Sequence, residues 1–237
     1  MSEPLSGRRV ALAHDWLVGY RGGEAVLERI AASLEAVGAE VGPVFTMFSD
    51  SRAAIAPRVD RLPRVVSTLN RLPGGPRGLR RWLLPAYPLA VADLSRRLAA
   101  EHRRRPFDLL VSTSSSAVKS LRPPPGVPHL CYCHSPARYL WSQMDRYAPA
   151  GRERLPGALR AAGLRAWAPA LRRWDRSTAG RVTRFLANSA HTAREIERCY
   201  GRAAEVLHPP VRTGLFTPDA ETLREDFWLA VGALEPY

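Results

Sequence analysis

A chain of 237 residues, 46% apolar and 24% charged, is long enough to close a core without disulfides or metals, which excludes disordered and fibrous classes. No stretch approaches ~18 uninterrupted apolar residues, Met1 to Arg9 lacks an apolar export segment, and three cysteines do not read as a disulfide framework, so a cytoplasmic location is expected. The net charge of +13 comes from 35 basic residues, of which Lys119 alone is lysine, and it points to a polyanionic neighbour such as phosphate groups or anionic lipid.

Arg8 to Ala13 is predicted as a short buried strand, with His14-Asp15-Trp16-Leu17 and a glycine-bearing turn, Gly19 to Glu24, after it. The turn opens a helix in which Val26, Ile30, Leu34 and Val37 recur at helical spacing while Glu24, Glu28 and Glu35 face outward; Gly38 ends it. A second strand follows over Val41 to Phe48. The pattern then repeats: helix Ala90 to Arg104, strand Asp108 to Thr113, a serine run, strand Val127 to Cys133, and a basic helical stretch from about Arg152 to Arg181 kinked near Pro169. Strand Val182 to Asn188, helix Ser189 to Tyr200 and an extended Glu205 to His208 complete it. This alternation predicts an α/β fold, a Rossmann-like doubly wound parallel sheet with helices on both faces. Residues 212–226 read as a linker, and Phe227 to Val231 as a fresh buried strand.

In a doubly wound sheet, ligands bind past the carboxyl ends of the strands. Gly22 and Gly23 stand at the first such end, where two glycines let the backbone approach a phosphate at a helix N-terminus. His14-Asp15 and His134-Ser135 lie just past two separate strands and are expected to converge, and a histidine there can orient or deprotonate a hydroxyl. Cys131-x-Cys133-His134 has no second Cys/His pair nearby, so no metal is expected, and a zinc enzyme on His14, Asp15, Cys133 and His134 stays an alternative. The serines from 112 to 116 lack a nucleophile-elbow pattern and are read as hydrogen-bond donors or a chain turn. Two basic stretches remain: one begins at Arg77, and the other puts Leu164, Trp167, Leu171 and Trp174 on one helical stripe among arginines. Such a stripe is either core packing with a solvated rim or a contact with an anionic bilayer. No nucleic-acid-binding signature accompanies the charge, so nucleic acid is not an expected partner.

Taken in order, several segments carry a specific resemblance. Val10-Ala-Leu-Ala-His-Asp-Trp-Leu with Arg21-Gly-Gly-Glu resembles the start of family 4 glycosyltransferases of the GT-B fold. Cys131-Tyr-Cys-His-Ser-Pro-Ala-Arg-Tyr-Leu-Trp resembles a segment of its mannosyltransferase-like members. Asn188-Ser-Ala-His-Thr-Ala-Arg-Glu-Ile, Tyr200-Gly and Val206-Leu-His-Pro-Pro-Val resemble the stretch leading to its interdomain linker. The resemblance implies two Rossmann-like domains across a cleft, the first binding the acceptor and the second the sugar nucleotide, with retained anomeric configuration and no bound metal or cofactor. It implies that Gly22 and Gly23 approach the donor diphosphate and that His134 sits beside the transferred sugar and the acceptor hydroxyl. His14, Asp15, Ser135 and Arg138 would line the acceptor side.

The implied organisation is an acceptor domain over 1–211, a linker over 212–226, and over 227–237 the first strand of a donor domain cut short before its diphosphate-binding residues, so that little transfer is expected from this chain alone. Arg212 stands where the family's linker usually carries an acid. Implied partners are a sugar nucleotide, with GDP-mannose the specific expectation, a polysaccharide or lipid-linked glycan acceptor, and an anionic membrane at the inner face of the cytoplasmic membrane. The alternative is a non-catalytic module that binds anionic glycan or lipid.

Overall fold

A computed structural model describes residues 5–76, 80, 82–147, 155–219, 221 and 226–231. Seven strands form one wholly parallel sheet in the order β3-β2-β1-β4-β5-β6-β7. They are β1 (Arg9–Leu17), β2 (Glu40–Ser49), β3 (Arg64–Val66), β4 (Leu109–Ser114), β5 (His129–Cys133), β6 (Arg184–Ala187) and β7 (Ala204–Val206). Between them run α1 (Gly22–Ala36), α2 (Pro57–Arg61), α3 (Tyr87–Arg104), α4 (Met144–Tyr147), α5 (Leu155–Thr178) and α6 (Ala190–Tyr200).

The two-residue period of β1 divides the core. Ala11 and Ala13 face one side and pack with Phe45, Met47 and the α3 residues Val91, Leu94 and Leu98, while Val10 and Leu12 face the other with Leu27 and Ala31 of α1. Both faces are therefore covered, as parallel sheets require. Strand order reverses at the β1–β4 pair, which opens a crevice at their carboxyl ends.

Three departures from the sequence expectations have physical causes. Strand β1 runs on to Leu17 because the ten-residue β2 supplies backbone partners as far as Leu17↔Ser49, so His14 and Asp15 belong to the strand end itself. On α5 the buried line passes through Ala161, Leu164, Ala168 and Leu171, and at ~100° per residue Trp167 stands about 80° off it, leaving that ring 54% exposed. Residues 227–231 form no strand: their backbone finds no neighbouring strand among the described residues, and Trp228 is fully exposed. Arg77, Gly78, Leu79 and Arg81 of the first basic stretch lie outside the described residues, as do 151–154 at the expected start of α5 and 232–237.

Candidate functional site

A cleft of about 740 Å³ lies over the carboxyl ends of β1, β4, β5 and β6. All seven expected site residues line it: His14, Asp15, Gly22, Gly23, His134, Ser135 and Arg138. Glu24, Arg80, Tyr87, Asn188 and Glu195 join them without having been singled out.

His134 is the centre of this arrangement. Its backbone is held between two elements, the N–H donating to Ser114 O (2.8 Å) and the carbonyl accepting from Asn188 Nδ2 (3.0 Å) and Thr192 Oγ1 (3.5 Å). The Asn188 segment thus supports the histidine from the start of α6. The Tyr132 ring meets the imidazole edge-on at 5.3 Å. Nε2 is buried and has no hydrogen-bond partner among the described residues. Burial, reinforced by the neighbouring His14, pushes its pKa down to about 4, so the ring is neutral at physiological pH and keeps one nitrogen for a ligand.

Gly23 lies directly against this pair of imidazoles. A Cβ built there would stand 3.3 Å from His14 Cε1 and 3.7 Å from His134 Nε2, whereas one on Gly22 would meet nothing within 4 Å. The N-cap of α1 is Arg21, which gives the first-turn amides no side-chain acceptor; in α6, by contrast, Ser189 Oγ accepts from Thr192 N at 3.2 Å. The first turn of α1 therefore retains N–H capacity for an incoming anion. Gly23→Ala is expected to leave Tm within a few degrees, because helix propensity offsets the tight contact at His14. The same variant should weaken binding of inorganic pyrophosphate at this turn about tenfold, measured by titration calorimetry.

Asp15 lines the cleft and also holds the loop after β4. Its Oδ1 accepts from the N–H groups of Ala117 (2.8 Å) and Val118 (2.9 Å), and its Oδ2 from Ser115 N (2.7 Å) and Ser114 Oγ (3.2 Å). The carboxylate borders the cleft, but its lone pairs hold the loop after β4. Asp15→Asn would point an amide donor at other donors, and chemical denaturation should register a loss of about 1–3 kcal/mol. The other serines are equally committed: Ser112 Oγ pairs with His129 Nε2 (2.8 Å) and Ser116 Oγ with Tyr139 OH (2.8 Å), leaving Ser115 to face the cleft.

Cys131 and Cys133 point away from the cleft into the cluster of Val182, Phe185 and Ile196, and burial pushes the Cys131 thiol up to about 12. No group of three His, Cys, Asp or Glu suited to a metal occurs among the described residues, so the zinc alternative finds no ligand set there. Glu24 corrects a sequence expectation. Expected to face outward, it is 4% exposed and lies beside His14, because a first-turn side chain reaches back toward the residues preceding its helix.

The family model for Glycosyltransferase Family 4 matches residues 20–215, well over half of the chain. The chain belongs to Glycosyltransferase Family 4. A solved sucrose-phosphate synthase from Thermosynechococcus elongatus is similar over 90% of this chain at 16% identity, with a TM-score of 0.57. That likeness shows the fold, the Rossmann-like half of a GT-B glycosyltransferase, and the chain spans 51% of that synthase's length. A second structure of the same synthase aligns over 84% of this chain and 90% of its own at 14% identity, but its TM-score of 0.43 carries no weight. A search of curated proteins returns no significant match. No helix among the described residues is long and apolar enough to cross a membrane.

Proposed function

We propose that this family 4 chain is the acceptor-binding part of a retaining glycosyltransferase that moves a hexose, mannose from GDP-mannose, onto a polysaccharide or lipid-linked glycan. The observation that supports this most is the neutral Nε2 of His134, buried beside Gly23 at the cleft with no hydrogen-bond partner among the described residues. In this reading the first turn of α1 approaches the donor diphosphate and His134 hydrogen-bonds a hydroxyl at the reacting centre. His14, Ser135 and Arg138 border the acceptor, and Asp15 keeps the loop beneath them in place. Residues 1–211 form the acceptor domain and 212–226 the linker, while 227–237 belong to the donor side. The protein works in the cytoplasm at the inner face of the membrane, where the excess of arginine and the exposed Trp167 on α5 meet anionic lipid.

The deciding experiment supplies the full chain with a separately expressed donor-domain polypeptide, GDP-mannose and a membrane extract carrying lipid-linked glycans. Transfer with retained anomeric configuration is the expected result. If no sugar moves from GDP-mannose or from UDP-glucose, the transferase reading fails and a glycan-binding module takes its place.

A further inference from the structure

His14 has polar neighbours on several elements: Thr113 on β4, Thr46 opposite it on β2, Glu24 on α1 and His134 after β5, with Asp15 next along its own strand. Its Nδ1 is hydrogen-bonded to the Thr113 hydroxyl, and its Nε2 lies 3.6 Å from Glu24 Oε1. An ionised carboxylate only accepts, so a bare ring lone pair facing it would be repelled and Nε2 must carry a proton. A neutral ring then has Nδ1 free to accept from Thr113, whose hydroxyl can serve as either donor or acceptor and so follows.

Glu24 is fixed well enough to dictate this. Its Oε2 accepts from Arg21 N at 3.1 Å, which anchors the carboxylate to the start of α1. Burial opposes its ionisation, but the neighbouring His14 imidazole, together with the backbone N–H groups of Glu24 and Arg21, holds its carboxyl below the ordinary range. We propose that Glu24 is a positioning residue that keeps a proton on His14 Nε2 and so sets the orientation of the imidazole on which Gly23 rests. His14 Cε1 stands 3.3 Å from the place of a Gly23 Cβ, so a change in ring orientation changes the space above the glycine loop and beside His134.

The consequence for donor binding rests on the glycosyl-transfer reading; the proton position does not. Long-range ¹H–¹⁵N spectra of the labelled full chain, at about pH 8 where an ordinary imidazole is neutral, report which His14 nitrogen is protonated. Nε2 is expected in the native protein and in Thr113→Val, with the proton shifting toward Nδ1 in Glu24→Gln, whose amide can donate to a bare Nε2. A native His14 protonated on Nδ1 overturns the proposal whether or not any variant folds. A shift in Thr113→Val but none in Glu24→Gln overturns it too, since helix capping alone would lower Tm and leave the proton in place. A failed transfer assay would leave this result standing, and a misplaced proton would leave the transfer reading standing.

Discussion

Replacing Lys119 by methionine is expected to cost about 3–5 kcal/mol, a fall in Tm of roughly 6–20 °C for a chain of this size, read by thermal and urea unfolding. Lys119 and Asp175 are each 1% exposed, and Nζ lies 2.8 Å from Asp175 Oδ1. The ammonium also donates to Asp175 O (2.8 Å) and Ser120 Oγ (3.2 Å) and sits 4.4 Å from the centre of the Tyr200 ring. Asp175 Oδ2 accepts from Trp141 Nε1 at 2.7 Å. Methionine fills much of the same volume but leaves a carboxylate buried without its cation, and that uncompensated charge carries most of the cost. The double variant Lys119→Met with Asp175→Leu should recover part of the loss. Recovery stays incomplete because the Trp141 indole N–H then loses its acceptor. A double variant no more stable than Lys119→Met would show that packing, rather than the lone charge, sets the cost.

That buried pair also marks the limit of what sequence reading can find. Hydrophobic period placed six of the seven strands and the long helices, because alternation in β1 and the three-to-four spacing in α1 are local signals. Strand β3 and α2 escaped: the strand has three residues, the helix five, and prolines interrupt the segment, so no period can build up. The cleft was legible for one topological reason. Parallel strands deliver their carboxyl ends to one edge, so His14, Ser115, His134 and Asn188 had to meet whatever else the chain did. What each side chain does at that edge was not legible. The Asp15 carboxylate is used by amides about a hundred positions later, Lys119 meets Asp175 across 56 positions, and neither pairing leaves a local trace. Glu24 is the intermediate case. Its place three residues after the N-cap is a capping-box position, a signal that it folds back to its helix start, but nothing in the sequence puts His14 beside it.

In the proposed transfer reaction, with the donor-domain polypeptide supplied, His134→Ala is expected to lower the rate by about 10²–10⁴-fold, the usual contribution of a positioned acid–base or hydrogen-bonding group. The argument is geometric first. The backbone of His134 is held by Ser114, Asn188 and Thr192, so loss of the imidazole leaves the loop in place and Tm should barely move. Removing Nε2 takes away a buried nitrogen that has no hydrogen-bond partner among the described residues and lies 3.7 Å from the place of a Gly23 Cβ. The sign of the pH dependence follows from the lowered pKa: the ring is neutral from about pH 5 upward, so its own titration should leave the rate flat between about pH 6 and 8 and reduce it only toward pH 4. Protonation there would also destabilise the fold, since the unfolded chain takes up that proton near its ordinary value and the folded one resists it until about 4. Initial rates should therefore be compared above about pH 7, beyond the ordinary imidazole value, where this contribution to the fold is complete. His134→Gln, which keeps a hydrogen-bonding tip, should retain more activity than alanine. Equal rates for the native protein and His134→Ala would move the chemistry off this residue and leave the histidine with a packing role against Tyr132.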